Sequence, residues 1–285
     1  MEHRNYFNLD ISAPIFRILK EEQALWWKTV CNDKELYINI RKDNRINVYY
    51  KGASVMDLKH DPIDGFIAYI NDRYINKDNH CKYKKYKNGY LKIKPEDIID
   101  MLESIKNNIF RVQCEKGRKN NPEKISEKEF QGEEYLRGKY IDSEYEFVYS
   151  QPKHKRIRID LISINSDGLI EFIELKRISD GRLLKVEDSK KIPEIIDQIH
   201  NYNRFIKKYS DEILSYYKTI QQIMKMINIP NYLLNVDIKG VNPNLKLLFI
   251  PYADGKAEHP KRRVRVNRIT ELLKNENTIS NINEV

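Results

Sequence analysis

Cysteine is scarce in this chain. Among 285 residues there are only Cys31, Cys81 and Cys114, odd in number, far apart and without a C-x-x-C pair. Neither a disulfide framework nor a cysteine-built zinc site is expected, and the thiols read as reduced groups of a cytoplasmic protein. No apolar run reaches the ~18 residues that a membrane helix needs, and the first residues lack a signal-peptide pattern. Insertion and export are therefore not expected. The six histidines show no metal-ligand spacing. There is no Gly-rich phosphate loop, no Ser-His-Asp order and no internal repeat, so nothing in the chain points to nucleotide-driven work.

Charge and apolar residues are plentiful. Lysine and arginine number 51 against 42 acids, a formal charge of +9 with pI about 9.1. That balance suits a polyanionic partner; it is also the balance that an AT-rich genome gives by codon bias, and both readings stay open. With 40% hydrophobic residues the chain can bury a core, and its length suits one large domain or two medium ones.

Residues 1–115 read as a small α+β domain. Leu36 to Ile40 and Arg45 to Tyr50 alternate apolar with polar around Lys42-Asp43-Asn44, as a hairpin does. Phe66 to Ile70 and Tyr90 to Ile93 are further strand candidates. Pro95 opens a helix whose stripe is Ile98, Met101, Leu102, Ile105 and Ile109. Trp26-Trp27 reads as core or a domain contact. The run Lys82-Tyr83-Lys84-Lys85-Tyr86-Lys87 either tracks phosphates and stacks on bases or is an edge strand guarded by lysines. Residues 111–125, polar and holding Gly117 and Pro122, read as a linker.

The most informative stretch follows. Arg156 to Ile164 and Leu169 to Arg177 are two Ile- and Leu-rich runs joined by Asn165-Ser166-Asp167-Gly168, a hairpin with an Asp-Gly turn. Asp160, Glu174 and Lys176 interrupt these apolar strands. Buried charge costs several kcal/mol unless paired or bound to a metal. Glu174 and Lys176 share a face. Asp160 joins them if Asn165 pairs with Leu169, leaving the three-residue loop Ser166-Asp167-Gly168 with Gly168 in the left-handed position. A loop one residue shorter or longer turns Asp160 away.

Asp160 followed by Glu174-Leu175-Lys176 resembles the D…(D/E)xK signature of the PD-(D/E)XK nuclease superfamily. Gln198-Ile199-His200-Asn201-Tyr202 is similar to the QxxxY helix motif of its RecB-like branch, and Ser126 to Gln131 looks like that core's acidic first helix, opened by the capping box Ser126/Glu129. The expected order is helix, strand near Glu146 to Ser150, the hairpin, a helix from Ser189, a third helix from Asp211 to Ile227, then a strand at Leu245 to Ile250. Ile159 stands where the family usually has Pro. A looser similarity, Glu174 to Tyr209, is to Shedu-type defence nucleases. Lys261-Arg262-Arg263-Val264-Arg265 alternates like an edge strand that either grips phosphates or is solvated, before a short helix near Ile269 to Leu273.

The resemblance implies an α/β fold: a restriction-endonuclease-like core, with a mixed central sheet flanked by helices, over residues 122–285. It implies a Mg²⁺- or Mn²⁺-dependent endodeoxyribonuclease. Asp160, Glu174 and the Leu175 carbonyl would bind the ion, with Glu127 a ligand for a second one; the alternative for Glu127 is a solvated first-turn charge. Lys176 would orient water and offset charge, while Gln198 and Tyr202 position the active groups. DNA is the expected partner, RNA not being excluded, with contacts at Lys82, Lys84, Lys85, Arg158, Arg262 and Arg263. A homodimer and a place in genome defence are further expectations, the first domain then sensing or regulating. Two other readings remain open: a non-catalytic nucleic-acid or protein-binding module on a nuclease-like fold, and a structural ion-pair network.

Overall fold

The computed structural model describes residues 7–117, 127–148, 156–177, 180, 193–250 and 262–275. The fold is mixed α/β. The chain divides into two compact units, Met1–Lys139 with Tyr216–Asn235, and Tyr140–Ser215 with Val236–Val285.

In the first unit, α1 (Pro14–Glu22) starts on the expected kind of residue, a proline at the first turn, and α2 (Leu25–Asn32) follows. An antiparallel sheet then forms from β1 (Leu36–Arg41), β2 (Arg45–Tyr50), β3 (Ala53–Asp61), β4 (Gly65–Asn71), β5 (Lys84–Tyr86) and β6 (Tyr90–Ile93), in the order β1-β2-β3-β4-β6-β5. The expected hairpin is β1–β2, and Asp43 and Asn44 take the positive φ values, 60° and 53°, that such a tight turn requires. Alternation sorts the sheet into two faces. Ile46, Val48, Met56, Leu58, Ala68 and Ile70 are buried on one; Arg45, Asp57, Lys59, Tyr69 and Lys92 stand partly exposed on the other.

The helix from Pro95 is two helices, α3 (Pro95–Asp100) and α4 (Leu102–Gly117), interrupted at Met101. Because α4 continues to Gly117, the linker expected from residue 111 is helical in its first part. Trp26 and Trp27 are core, and the Trp27 indole N–H donates to the Ile227 carbonyl at 2.9 Å. Next comes α5 (Glu127–Glu134), closed by a π turn, Tyr135–Lys139.

The second unit is built on a mixed sheet. β7 (Tyr140–Val148), β8 (Arg156–Ile164) and β9 (Leu169–Arg177) are antiparallel neighbours. The other edge of β9 takes β10 (Gly240–Val241) and then β11 (Lys246–Ile250), both parallel to it. Among the described residues α6 (Glu194–Lys208) and α7 (Ser210–Met226) come between β9 and β10, α7 passing into the first unit at Tyr216, and α8 (Arg262–Asn275) follows β11. Along the chain α5, β7 to β9, α6, α7 and β11 follow one another in the expected order, but α5 groups with the first unit and the short β10 was not expected. β7 begins earlier than expected, at Tyr140. The stretch from Arg262 is the start of α8 rather than an edge strand: Val266, Ile269 and Leu273 are buried at helical spacing, and that periodicity prevails over the Arg-Val alternation. Ser126, Ser150, Ser189 and Lys261 lie outside the described residues.

The β8–β9 register is the one the charge pattern required. Leu161 pairs with Ile173 and Ile164 with Ile170, so Asn165 is level with Leu169, and the Asn165 amide donates to the Leu169 carbonyl at 3.0 Å. Gly168 has φ 81°, and a Cβ there would collide with the Asp237 carbonyl oxygen. Gly168→Ala is therefore expected to cost about 2 kcal/mol or more of stability in urea unfolding. An unchanged midpoint would contradict the loop geometry.

Candidate active site

The site grows from a fork in the sheet. The β8–β9 ladder ends at Leu161 and Ile173. Beyond that point, side chains take over the backbone groups that the strands no longer offer each other. The Asp160 carboxylate accepts from the Leu175 amide at 2.8 Å. The Tyr202 hydroxyl donates to the Arg158 carbonyl at 2.9 Å and accepts from the Arg158 amide at 3.3 Å. Unsatisfied backbone groups would be costly in this position, so the fork exists because Asp160 and Tyr202 fill it.

On β9 the Lys176 ammonium donates to Glu174 Oε1 and, at 3.1 Å, to the Leu175 carbonyl. Both side chains are buried, Lys176 at 1% exposure and Glu174 at 3%. Gln198 and Tyr202 lie one turn apart on α6, as their i, i+4 spacing dictates. The Gln198 amide donates to Glu174 Oε1 at 2.6 Å and to the Tyr202 hydroxyl at 3.1 Å. Five of the expected site residues, Asp160, Glu174, Lys176, Gln198 and Tyr202, are thus linked through hydrogen bonds and the Leu175 peptide. Asp160 and Gln198 are half-buried and Arg158 is exposed, so this is the side of the fork that solvent reaches.

Arg158 contributes its backbone to Tyr202, while its guanidinium pairs with Glu144 at 2.5 Å. Glu127, half-buried, opens α5, which groups with the first unit. Lys82, Lys84 and Lys85 are exposed, the last two on the edge strand β5. Arg262 and Arg263 open α8. Among the described residues no group of three or more His, Cys, Asp or Glu side chains is placed to hold a metal ion. The donors available to a cation are two carboxylates and the Leu175 carbonyl.

A further charge of β9 escaped the sequence reading. Glu171, buried at 6%, lies on the opposite face of β9 from Glu174. It is held by Lys246 at 2.5 Å and by the Asn165 side-chain amide at 3.0 Å. Its odd position in the run from Leu169 was the available signal, since parity separates it from Glu174 and Lys176.

Burial, and secondarily the Glu174 charge, push the Tyr202 hydroxyl up to about 12 from its ordinary 10.0. The folded chain then keeps this proton where the unfolded chain loses it. The stability so contributed is complete below pH 10 and is lost as the pH rises from 10 towards 12, with a limiting slope of about 1.4 kcal/mol per pH unit. Tyr202→Phe is expected to flatten that part of the stability profile and to lower stability at pH 7 by about 1–3 kcal/mol, because both Arg158 groups lose their partner. Denaturant titrations across the alkaline range check this, and superimposable profiles would refute it.

No family model, no curated protein and no solved structure matches this chain.

Proposed function

We propose that the chain is a metal-dependent nuclease of the PD-(D/E)XK type, hydrolysing phosphodiester bonds of DNA. The observation that supports this is the convergence of Asp160, Glu174 and Lys176 at the fork, with Gln198 and Tyr202 bonded behind them. The donor set fits a hard cation such as Mg²⁺ or Mn²⁺, being all oxygen. The Lys176 ammonium rests on two of those oxygens, so the fold already places a positive charge there. Asp160, Glu174 and the Leu175 carbonyl would hold the ion. When bound, a divalent ion lowers the pKa of water and neutralises charge on a phosphate.

The chain's own residues have distinct tasks. Asp160 ties its carboxylate to the β9 backbone, which fixes it relative to Leu175 O. Gln198 holds one oxygen of Glu174 and so sets that carboxylate's rotation. Lys176 offers a donor to a phosphate oxygen as charge develops in the transition state. Tyr202 stays protonated and keeps β8 at the spacing the site needs.

The test is a digestion panel of plasmid, linear duplex, single-stranded DNA and RNA, each with Mg²⁺, with Mn²⁺ and with EDTA. Cleavage of at least one DNA form with an ion and none in EDTA is the expected outcome; no phosphodiester cleavage under any condition would end the proposal. One observation favours a second reading, in a binding module rather than an enzyme: the Glu174–Lys176 pair is buried and already compensated without an ion. That reading expects Mn²⁺ to leave thermal unfolding unchanged, whereas an ion-binding site raises the midpoint with ion concentration.

A further inference from the structure

The solvent face of the first unit's sheet carries tyrosines and cations that neither its core nor the fork employs. We propose that this face binds single-stranded nucleic acid, with Tyr69 and Tyr86 as the stacking platform and Lys59, Lys84 and Lys87 as phosphate contacts.

Register brings these residues together. Tyr69 is paired with Lys92, and Lys92 with Lys84, across β4, β6 and β5; Tyr86 is paired with Tyr90 on the same face. The Tyr69 and Tyr86 rings stand 4.5 Å apart, centroid to centroid, and 43% of Tyr86 is exposed. Lys59 Nζ lies 5.4 Å from the Tyr69 centroid and Lys87 Nζ 5.8 Å from that of Tyr86. Two other cations on the face are neutralised, Arg45 by Asp57 and Lys92 by Asp64. By contrast, Lys59, Lys84 and Lys87 form no ion pair among the described residues.

Guarding an edge strand accounts for the lysines of β5. It does not account for a pair of tyrosine rings on the open face with cations over them. The two rings are tilted by 46° to one another, so each offers its own face to a base, and lysines alongside meet the phosphates, which is how sheet platforms hold an unpaired strand. A duplex keeps its bases stacked on each other and offers this face only phosphate. The charge is complementary to a polyanion, and the aromatic content selects a strand with accessible bases.

This inference does not rest on the cleavage reading. The full chain is titrated in EDTA with fluorescein-labelled oligothymidylate, oligouridylate and a duplex, following anisotropy, and separately with vesicles of phosphatidylserine and phosphatidylcholine. Single strands are expected to bind more tightly than duplex. Tyr86→Ala should weaken single-strand binding by about ten-fold or more, while Tyr86→Phe keeps the ring and the affinity. A Lys84→Glu, Lys87→Glu pair should also reduce the salt dependence of binding. Wild-type affinity in Tyr86→Ala, duplex bound as tightly as single strands, or capture by the vesicles alone would each overturn the proposal. Since no ion is present, a chain that binds without cutting separates this result from failure of the nuclease proposal. A chain that cuts without needing Tyr86 separates them in the other direction.

Discussion

Asp160→Asn is expected to lower metal-stimulated phosphodiester cleavage by at least about a hundred-fold while leaving the chain folded. The two halves of that result have different origins. Asp160 is half-buried, and one of its oxygens accepts from the Leu175 amide. Asparagine keeps a side-chain oxygen for that bond, so the fork stays closed. What it removes is the negative charge, and a neutral amide is a weaker ligand for a hard cation. Turnover of a cleaved substrate against Mg²⁺ concentration, with urea unfolding run in parallel, gives both numbers. Wild-type turnover in the folded variant would remove Asp160 from the chemistry.

Lys176→Met should have the opposite profile, a large loss of stability as well as of activity. The ammonium is 1% exposed and its carboxylate partner 3%. Methionine fills much of the same volume but leaves Glu174 with a buried charge and no cation. Breaking a buried pair in this way costs about 3–5 kcal/mol. Glu174→Gln together with Lys176→Met should restore most of that loss, since the remaining amide carries no charge. The double variant is then folded and inactive. Equilibrium unfolding of the wild type, both single variants and the double completes the cycle. A Lys176→Met cost below about 1 kcal/mol would mean that the pair is solvated. A folded double variant that still cuts would assign the chemistry elsewhere.

These residues were legible because two periodicities fixed them. The three-residue loop and strand parity placed Asp160 level with Glu174, and helical spacing put Gln198 one turn from Tyr202. Sequence does not display a backbone as a partner, so the use Tyr202 makes of the Arg158 peptide was invisible. β7 starts at Tyr140, ahead of the expected strand, because a register shift between Tyr140 and Asp142 and a positive φ at Glu144, 55°, break its alternation. Asp142 and Ser143 are polar yet buried, which hides the strand further. β3 is hidden in the sequence because adjacent Val55 and Met56, both core, break its alternation beside the register shift at Val48 and Tyr49. α4 extends through residues too polar to show an apolar stripe, since a helix whose first turns are packed needs none at its end.

The position of β9 has a consequence for when the chain becomes competent. One neighbour, β8, joins it through a tight loop, and a local hairpin of that sort assembles in microseconds. The other, β11, comes from far along the chain: Leu247 settles against Glu174 and Phe249 against Lys176. Such parallel, non-local pairing is slow. A ribosome that has not yet released Lys246 to Ile250 therefore carries a strand with one side unsupported. If these groups cut DNA, the chain gains its activity only once β11 has docked on β9.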